Sequence, residues 1–271
     1  MSLSVLNNIP ALTAANQLAI TQTGLNQTLE QLSSGKRINS GADDAAGLSI
    51  ADGLQSNITA LQQSAQNAND GVGKLQVADG ALSQVTSLLN RAVTLATEAA
   101  TGTVTSAQQT SLDTEFSSIK AEINRIGTDT TFNGSSVFSA STTSIFLSDG
   151  SSQSTIAATV GQLSSTSLTL NTNSLTSTST AATALTAINT AINTISSTRG
   201  ALGAAVNRLN SAVNVINTQV QNLTSAEDGI RSADIATVVG NLSKYQILNS
   251  TGISALAQAN SSQQSVLKLL Q

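Results

Sequence analysis

Residues 185–230 read LTAINTAINTISSTRGALGAAVNRLNSAVNVINTQVQNLTSAEDGI, and this stretch decides the fold. Apolar side chains recur three then four positions apart, at Leu185, Ile188, Ile192, Ile195, Leu202, Val206, Leu209, Val213, Ile216, Val220, Leu223 and Ile230; only Arg199 and Glu227 interrupt them. Such a period, held over so many turns, describes a helix whose apolar seam faces other helices. A second tract carries the same pattern at Leu54, Ile58, Leu61, Ala65, Ala68, Val72, Leu75, Leu82, Leu89, Val93 and Ala96, with Asp79 and Thr86 on its seam. At about 1.5 Å per residue the two seams extend roughly 69 Å and roughly 65 Å. They match in length and can zip together.

Outward from these tracts the chain divides into further elements. Residues 3–33 read as an amphipathic helix with Leu18, Leu25 and Leu32 spaced by sevens and Leu29 between the last two; Pro10 requires that the helix start or kink there. Ser33 to Gly41 is rich in turn formers and reads as a linker. The first long helix then runs from about Asp52 to Ala99 and ends at Thr101-Gly102-Thr103. A shorter one, with Leu112, Phe116, Ile119, Ile123 and Ile126 on one face, stops at Gly127 and folds back antiparallel on the first. From Thr128 to about Thr180 the pattern predicts a small β region with turns at Asn133-Gly134 and Asp149-Gly150; the uncharged Ser/Thr-rich stretch is also compatible with a mobile loop. The fold class is mainly α: long coiled-coil-like helical hairpins with a small β-hairpin region in the middle. Residues 235–271 return to face residues 3–33. This terminal pair carries Ile235, Val238, Val239, Leu242, Tyr245, Ile247 and Leu248 on several sides, more than two helices can cover. It is therefore expected to order fully only when copies bury it.

Composition excludes several function classes. Aromatics are 2% of the chain, so the core is Ala, Leu, Ile and Val packed helix on helix. The net charge is −4 and the few cations are scattered, which argues against nucleic acid as a partner. There is no cysteine and no histidine, removing thiol chemistry and the usual general base near neutral pH. No stretch approaches the length of apolar run that spans a membrane, and the N-terminus lacks the positive start of a cleaved signal. Asp43 and Asp44 are adjacent, but on a helix neighbours diverge and no nucleophile accompanies them. They are expected to make polar contacts at a joint with Lys36, Arg37 and Asp52. Gly35-Lys36 and Gly73-Lys74 lack the flanking residues of a phosphate loop. No catalytic residue, metal site or cofactor is expected.

Several words of the sequence carry a resemblance. Residues 32–51, LSSGKRINSGADDAAGLSIA, resemble the N-terminal signature of bacterial flagellin. Glu122 to Ile126 followed by Phe132-Asn133-Gly134 is similar to that family's segment before its β-hairpin. Arg199, Leu202-Gly203-Ala204, Asn207-Arg208-Leu209, Ala233-Asp234, Gln246-Ile247-Leu248, residues 256–260 and residues 266–270 match further family words. The order is the family's, and only residues 139–184 match weakly. The resemblance implies an inner terminal coiled-coil domain, residues 1–45 with 231–271, and an outer helical domain, residues 46–230. It implies a structural subunit that self-assembles into the extracellular flagellar filament, without large central insertions. The implied partners are many copies of the same chain, the flagellar type III export apparatus and an export chaperone, the filament cap and the hook-filament junction proteins. The self-assembly residues expected on the terminal helices are Leu18, Leu25, Leu29, Leu32, Leu242, Ile247, Leu256, Leu267 and Leu270.

The family resemblance also raises a vertebrate Toll-like receptor, whose contact corresponds here to Arg91, Leu95 and Glu115; Val93 and Thr94 replace charged residues of the usual pattern. Rival readings are a hook-filament junction protein, against which the matched central words argue, and a secreted immune or adhesive ligand. For Asp79, Thr86, Arg199 and Glu227 two explanations stand: the seam rotates away there, or the polar groups fix register. Gly71 to Gly73 and Gly200 to Gly203 are expected to allow close helix approach.

Overall fold

The computed structural model describes residues 7–139, 142–148 and 153–269, with the side chains of residues 153 and 266–269 excluded. Five helices carry the fold: α1 (Ile9–Ser34), α2 (Ala45–Ala99), α3 (Ser106–Asp129), α4 (Thr178–Arg231) and α5 (Ile235–Leu269). Two antiparallel hairpins lie between α3 and α4, formed by β1 (Thr131–Phe132) with β2 (Ser135–Ser136) and by β3 (Thr142–Ser148) with β4 (Gln153–Thr159). The contacts group into two compact units, Met1–Ser56 with Asn222–Gln271 and Asn57–Gln221.

In the second unit α2 is the central element. Its deepest residues are Ala68, Leu75, Ala78, Leu82, Val85, Leu89, Ala92, Leu95, Ala96 and Ala99. Half of the expected seam coincides with this line, whereas Ala65, Val72, Asp79, Thr86 and Val93 sit at its half-exposed edge. The buried stripe of α4 shows the same rotation: Ala184, Ile188, Ala191, Ile195, Leu202, Ala205, Leu209 and Ile216 are buried, and Leu185, Ile192, Val206 and Val213 flank them. A helix touching more than one neighbour buries more columns than a two-stranded seam. Asp79 and Arg199, both at this edge, pair with each other: Arg199 Nε donates to Asp79 Oδ1 at 2.7 Å. One interruption of each seam therefore meets the other across α2 and α4. Thr86 instead donates to the carbonyl of Leu82 within its own helix.

The shorter helix folds back as its spacing predicts. Thr105 and Gln108 form a reciprocal capping box at its start. Gln109 reaches the Ala99 carbonyl (3.1 Å) and Glu115 meets Arg91, so α3 runs antiparallel to α2. Strand β3 lies along α2 through Ser64 and the Ser148 backbone, Asn67 and the Phe146 carbonyl (3.3 Å), and Lys74 and Thr143 (3.0 Å). Gly71 lets β3 lie close, because a Cβ there would force the Ile145 side chain to shift. Gly73 faces Phe132, but Gly200 and Gly203 have open space around them and permit no close approach. Asn133 and Gly134 take φ values of 49° and 75°, the left-handed turn that an Asn-Gly pair signals.

Four element boundaries differ from the expectations. The described α1 begins at Ile9 rather than residue 3, because Asn8 caps it and Pro10 occupies the first turn. Helix α2 begins at Ala45, since Asp44 Oδ1 accepts from Gly47 N at 2.8 Å and acts as the N-cap. Helix α4 begins at Thr178, capped by Ser177, which binds the Thr180 N–H at 3.2 Å. The β region ends at Thr159, and residues 160–177 form an irregular segment laid along α3. There the Ser165 N–H donates to Asn124 Oδ1 (2.7 Å), the Leu175 N–H to Asp113 Oδ1 (2.6 Å), and Lys120 Nζ to the Asn173 carbonyl (2.8 Å). Leu163, Leu168, Leu170 and Leu175 are buried beneath it. The Asp149-Gly150 turn lies outside the described residues.

Candidate functional site

The site is a surface rather than a pocket, built on the α1–α5 pair of the first unit. Its heptad seam on α1 consists of Ala11, Ala14, Leu18, Thr21, Leu25, Thr28 and Leu32, all buried or half-buried. On α5 the seam is Val238, Leu242, Tyr245, Asn249, Gly252, Leu256, Ala259 and Gln263. Small residues let large ones seat. A Cβ on Gly24 would lie 2.6 Å from Tyr245 Cζ, and one on Gly252 would lie 3.2 Å from Leu18 Cδ1. Each helix thus offers one glycine notch to the other.

The register is pinned at both ends. Asn8 Nδ2 donates to the Ala259 carbonyl (3.2 Å) and to Asn260 Oδ1 (3.4 Å). At the other end the Ala233 N–H donates to the Gly35 carbonyl (3.0 Å) and the Arg37 N–H to the Arg231 carbonyl (2.6 Å). Gly35 makes this possible with φ 68°, the left-handed cap that lets the chain leave α1. Asp234 caps α5 by accepting from Ala236 N, Thr237 N and Thr237 Oγ1, and the Thr237 hydroxyl does most to hold its carboxyl below the usual range.

The residues after α1 are structural. Asp43 Oδ2 accepts the N–H groups of Ser40 (2.9 Å) and Asn39 (3.0 Å), and Gln27 donates to Oδ1. The Ser40 and then the Asn39 backbone hold its carboxyl low. Arg37 also donates to the Ile230 carbonyl at 2.7 Å, and Arg231 pairs with Asp52 (3.3 Å) and with Glu227 (3.6 Å). Ile38 is buried at the centre of this turn cluster.

Of the expected assembly residues, Leu18, Leu25, Leu32, Leu242 and Leu256 occupy the seam and are half-buried. Leu29 (46% exposed) and Ile247 (66% exposed) stand off it. The Leu267 side chain and all of Leu270 lie outside the described residues. Exposed Ile9, Leu12, Ile20 and Ile253 also belong to this surface, and Thr21 and Thr28 to its seam. A reading for leucine heptads passes over isoleucines on the far face and threonines within the seam. Among the described residues only Val77, Phe146 and Val215 of the exposed large apolar side chains lie in the second unit.

The expected receptor triad is not a common surface. Arg91 and Glu115 form a two-pronged pair at 2.7 Å and 3.0 Å, but Leu95 is fully buried. The hydrogen bond between Arg91 and Glu115 raises the guanidinium pKa and lowers the carboxyl pKa. No group of three or more potential metal ligands occurs among the described residues, and no helix among them is long and apolar enough to cross a membrane.

Comparison with known proteins bears on this surface. The family model of the bacterial flagellin N-terminal helical region matches residues 5–143, and that of the C-terminal helical region matches residues 185–270. Polar flagellin F of Vibrio parahaemolyticus is 42% identical over 134 residues, which are 49% of this chain and 36% of that protein. Flagellin A of Helicobacter pylori is 36% identical over 169 residues, 62% of this chain and 33% of that protein. The chain thus spans about a third of the length of these curated relatives. The crystal structure of Bacillus cereus flagellin matches with a TM-score of 0.49 and 33% identity, covering 60% of this chain and 94% of that one.

Proposed function

The chain belongs to the bacterial flagellin family, and from that premise we propose that it is a structural subunit, not an enzyme, that self-assembles into the extracellular flagellar filament used for swimming. The carrying observation is the concentration of exposed large apolar side chains on α1 and α5, at Ile9, Leu12, Ile20, Ile235, Val239, Ile247 and Ile253. So much unburied aliphatic surface in one unit is characteristic of an interaction site. In this reading residues 1–45 with 231–271 form the inner, polymer-building part and residues 46–230 the outer part. Burial against further copies stabilises the terminal pair by mass action, so the pair orders as the filament grows.

The finer partners follow from the same reading: export through the flagellar type III apparatus with a chaperone, growth beneath a filament cap, and attachment through hook-filament junction proteins. Receptor recognition would have to rest on Arg91 and Glu115, because Leu95 presents no surface. The test is polymerisation of the purified chain from seeds or under a salting-out agent, followed by negative-stain electron microscopy. Long filaments from the intact chain, absent from a version lacking residues 1–33 and 235–271, are expected. Persistent monomers or short stubs from the intact chain with seeds present would overturn the proposal.

A further inference from the structure

An asparagine or aspartate followed by glycine is a labile pair in any polypeptide, because the bare glycine backbone lets its amide nitrogen approach the preceding side-chain carbonyl carbon. The chain holds six such pairs, beginning at Asp52, Asp70, Asp79, Asn133, Asp149 and Asp228. Four of them lie inside α2 or α4, where the N–H that would attack is held by the carbonyl one turn back. Asp149 lies outside the described residues. Asn133 differs from the helical four on each count. It sits with Gly134 at the exposed tip of the β1–β2 hairpin, at φ 49° and 75°. Among the described residues neither its carboxamide nor the Gly134 N–H has a hydrogen-bond partner.

We propose that Asn133 is a site of spontaneous modification in the folded chain, where the Gly134 nitrogen closes a ring on the Asn133 side chain. The Gly134 N–H gives its proton to solvent base, its nitrogen bonds to Asn133 Cγ, and the Cγ–Nδ2 bond breaks as ammonia leaves with a proton. Water then adds to one of the two carbonyl carbons of the five-membered imide and cleaves the bond from that carbon to the ring nitrogen. Opening at Cγ leaves aspartate. Opening at the Asn133 main-chain carbon leaves isoaspartate, with the backbone now running through the side chain. One water is taken up and one ammonia released, and no oxidant or enzyme is needed. Either product adds a negative charge to a chain whose net charge is already −4. Isoaspartate also lengthens the backbone by a carbon within a turn built for two residues of ordinary length, so the Phe132 to Ser135 pairing that it closes is lost. Phe132 lies 3.6 Å from the position a Cβ on Gly73 would take, so the change is felt at α2. Conversion accumulates with time, and the hairpin tip thus records the age of the chain.

The full chain is incubated folded and, in parallel, in concentrated urea under the same mildly alkaline conditions, and each asparagine is followed by peptide mass mapping. Aspartate isomerises without changing mass, so the mass gain of amide-to-acid exchange reports asparagine alone. In the folded chain Asn133 is expected to convert first, at a rate within about tenfold of its rate in urea. Asn210 in α4 and Asn249 in α5, each followed by serine, should slow by more than that on folding, because their helices must open before the ring can close. A folded rate for Asn133 more than about tenfold below its rate in urea, or a helical asparagine that converts earlier, would overturn the proposal. On isoelectric focusing the folded chain should accumulate a species one charge more acidic. Asn133→Gln, which would need a six-membered ring, should not accumulate it at unchanged helix content; the same species forming as fast from that variant would also overturn the proposal. The measurement is made on the free chain, so its outcome is independent of polymerisation and of the filament reading.

Discussion

Leu256→Asp tests the terminal seam where the structure gives the sharpest energetic expectation. Leu256 is half-buried on α5 in the line that faces α1. Losing half of a leucine's burial costs about 1 kcal/mol. Holding even an uncharged polar group there without a partner costs a further ~1–3 kcal/mol, and a charge more. Among the described residues nothing nearby can neutralise it. The nearest lysine on the same helix with a described side chain, Lys244, is twelve residues away, roughly 18 Å along the axis, and the only ionisable residue of α1 is Glu30. A penalty of about 3 kcal/mol per subunit raises the critical concentration for polymerisation roughly a hundredfold. Desolvation raises the introduced carboxyl's pKa in the filament above the ordinary value of about 3.9. The defect is therefore full at pH 7 and shrinks as pH falls through the raised pKa, whereas Leu256→Asn shows a smaller and pH-independent defect. Sedimentation across a concentration series at pH 7 and pH 4.5 measures both. A wild-type critical concentration for the aspartate variant at pH 7 would refute the assigned seam.

Gly127→Ala would drive a Cβ into the backbone carbonyl of Leu163, so despite the better helix propensity of alanine it should destabilise by about 2 kcal/mol, lowering Tm by roughly 4–8 °C in circular-dichroism melts. Gly80→Ala, with open space around it, should instead stabilise by up to about 1 kcal/mol and raise Tm. The Arg199 guanidinium holds the Asp79 carboxyl below its usual pKa, so the pair contributes stability above pH about 3.9 that is lost as pH falls through the lowered value. Because both side chains are more than a third exposed, Asp79→Asn should cost about 0.5 kcal/mol at pH 7 and progressively less as pH falls through the lowered value, read by urea titration. Thr169 is a β-branched residue at φ 57°; Thr169→Gly should relieve about 1 kcal/mol of backbone strain and raise the urea midpoint.

The long helices were legible because period is a property of sequence alone: Ile188, Ile195, Leu202, Leu209 and Ile216 are both on the expected seam and in the core. What the period did not reveal was how many neighbours each helix has, so the buried stripe turned out rotated toward Ala184, Ala191 and Ala205. Alanine is a weak signal in a hydrophobic pattern, yet it marks where backbones come closest. The segment 160–177 lies within the stretch whose Ser/Thr-rich pattern predicts a small β region or a mobile loop, and it is neither. Its backbone is satisfied instead by Asn124, Asp113 and Lys120 across from it, partners that no local pattern discloses. In the terminal pair the leucine heptads locate the seam, while its register is set by Asn8 at one end and Gly35 at the other, which no heptad discloses.

The backbone bonds between Gly35 and Ala233 and between Arg37 and Arg231 have a mechanical consequence. They hold the outgoing and returning chains side by side, running in opposite directions, just past the end of the terminal pair. Tension applied along those two chains in opposite senses loads the bonds together, in shear, and they must fail together. A pull across them would open one bond after another. A load along either passage of the chain is thus shared with the other, and Gly35, the one residue there whose backbone needs a left-handed turn, lies within the linkage that bears it.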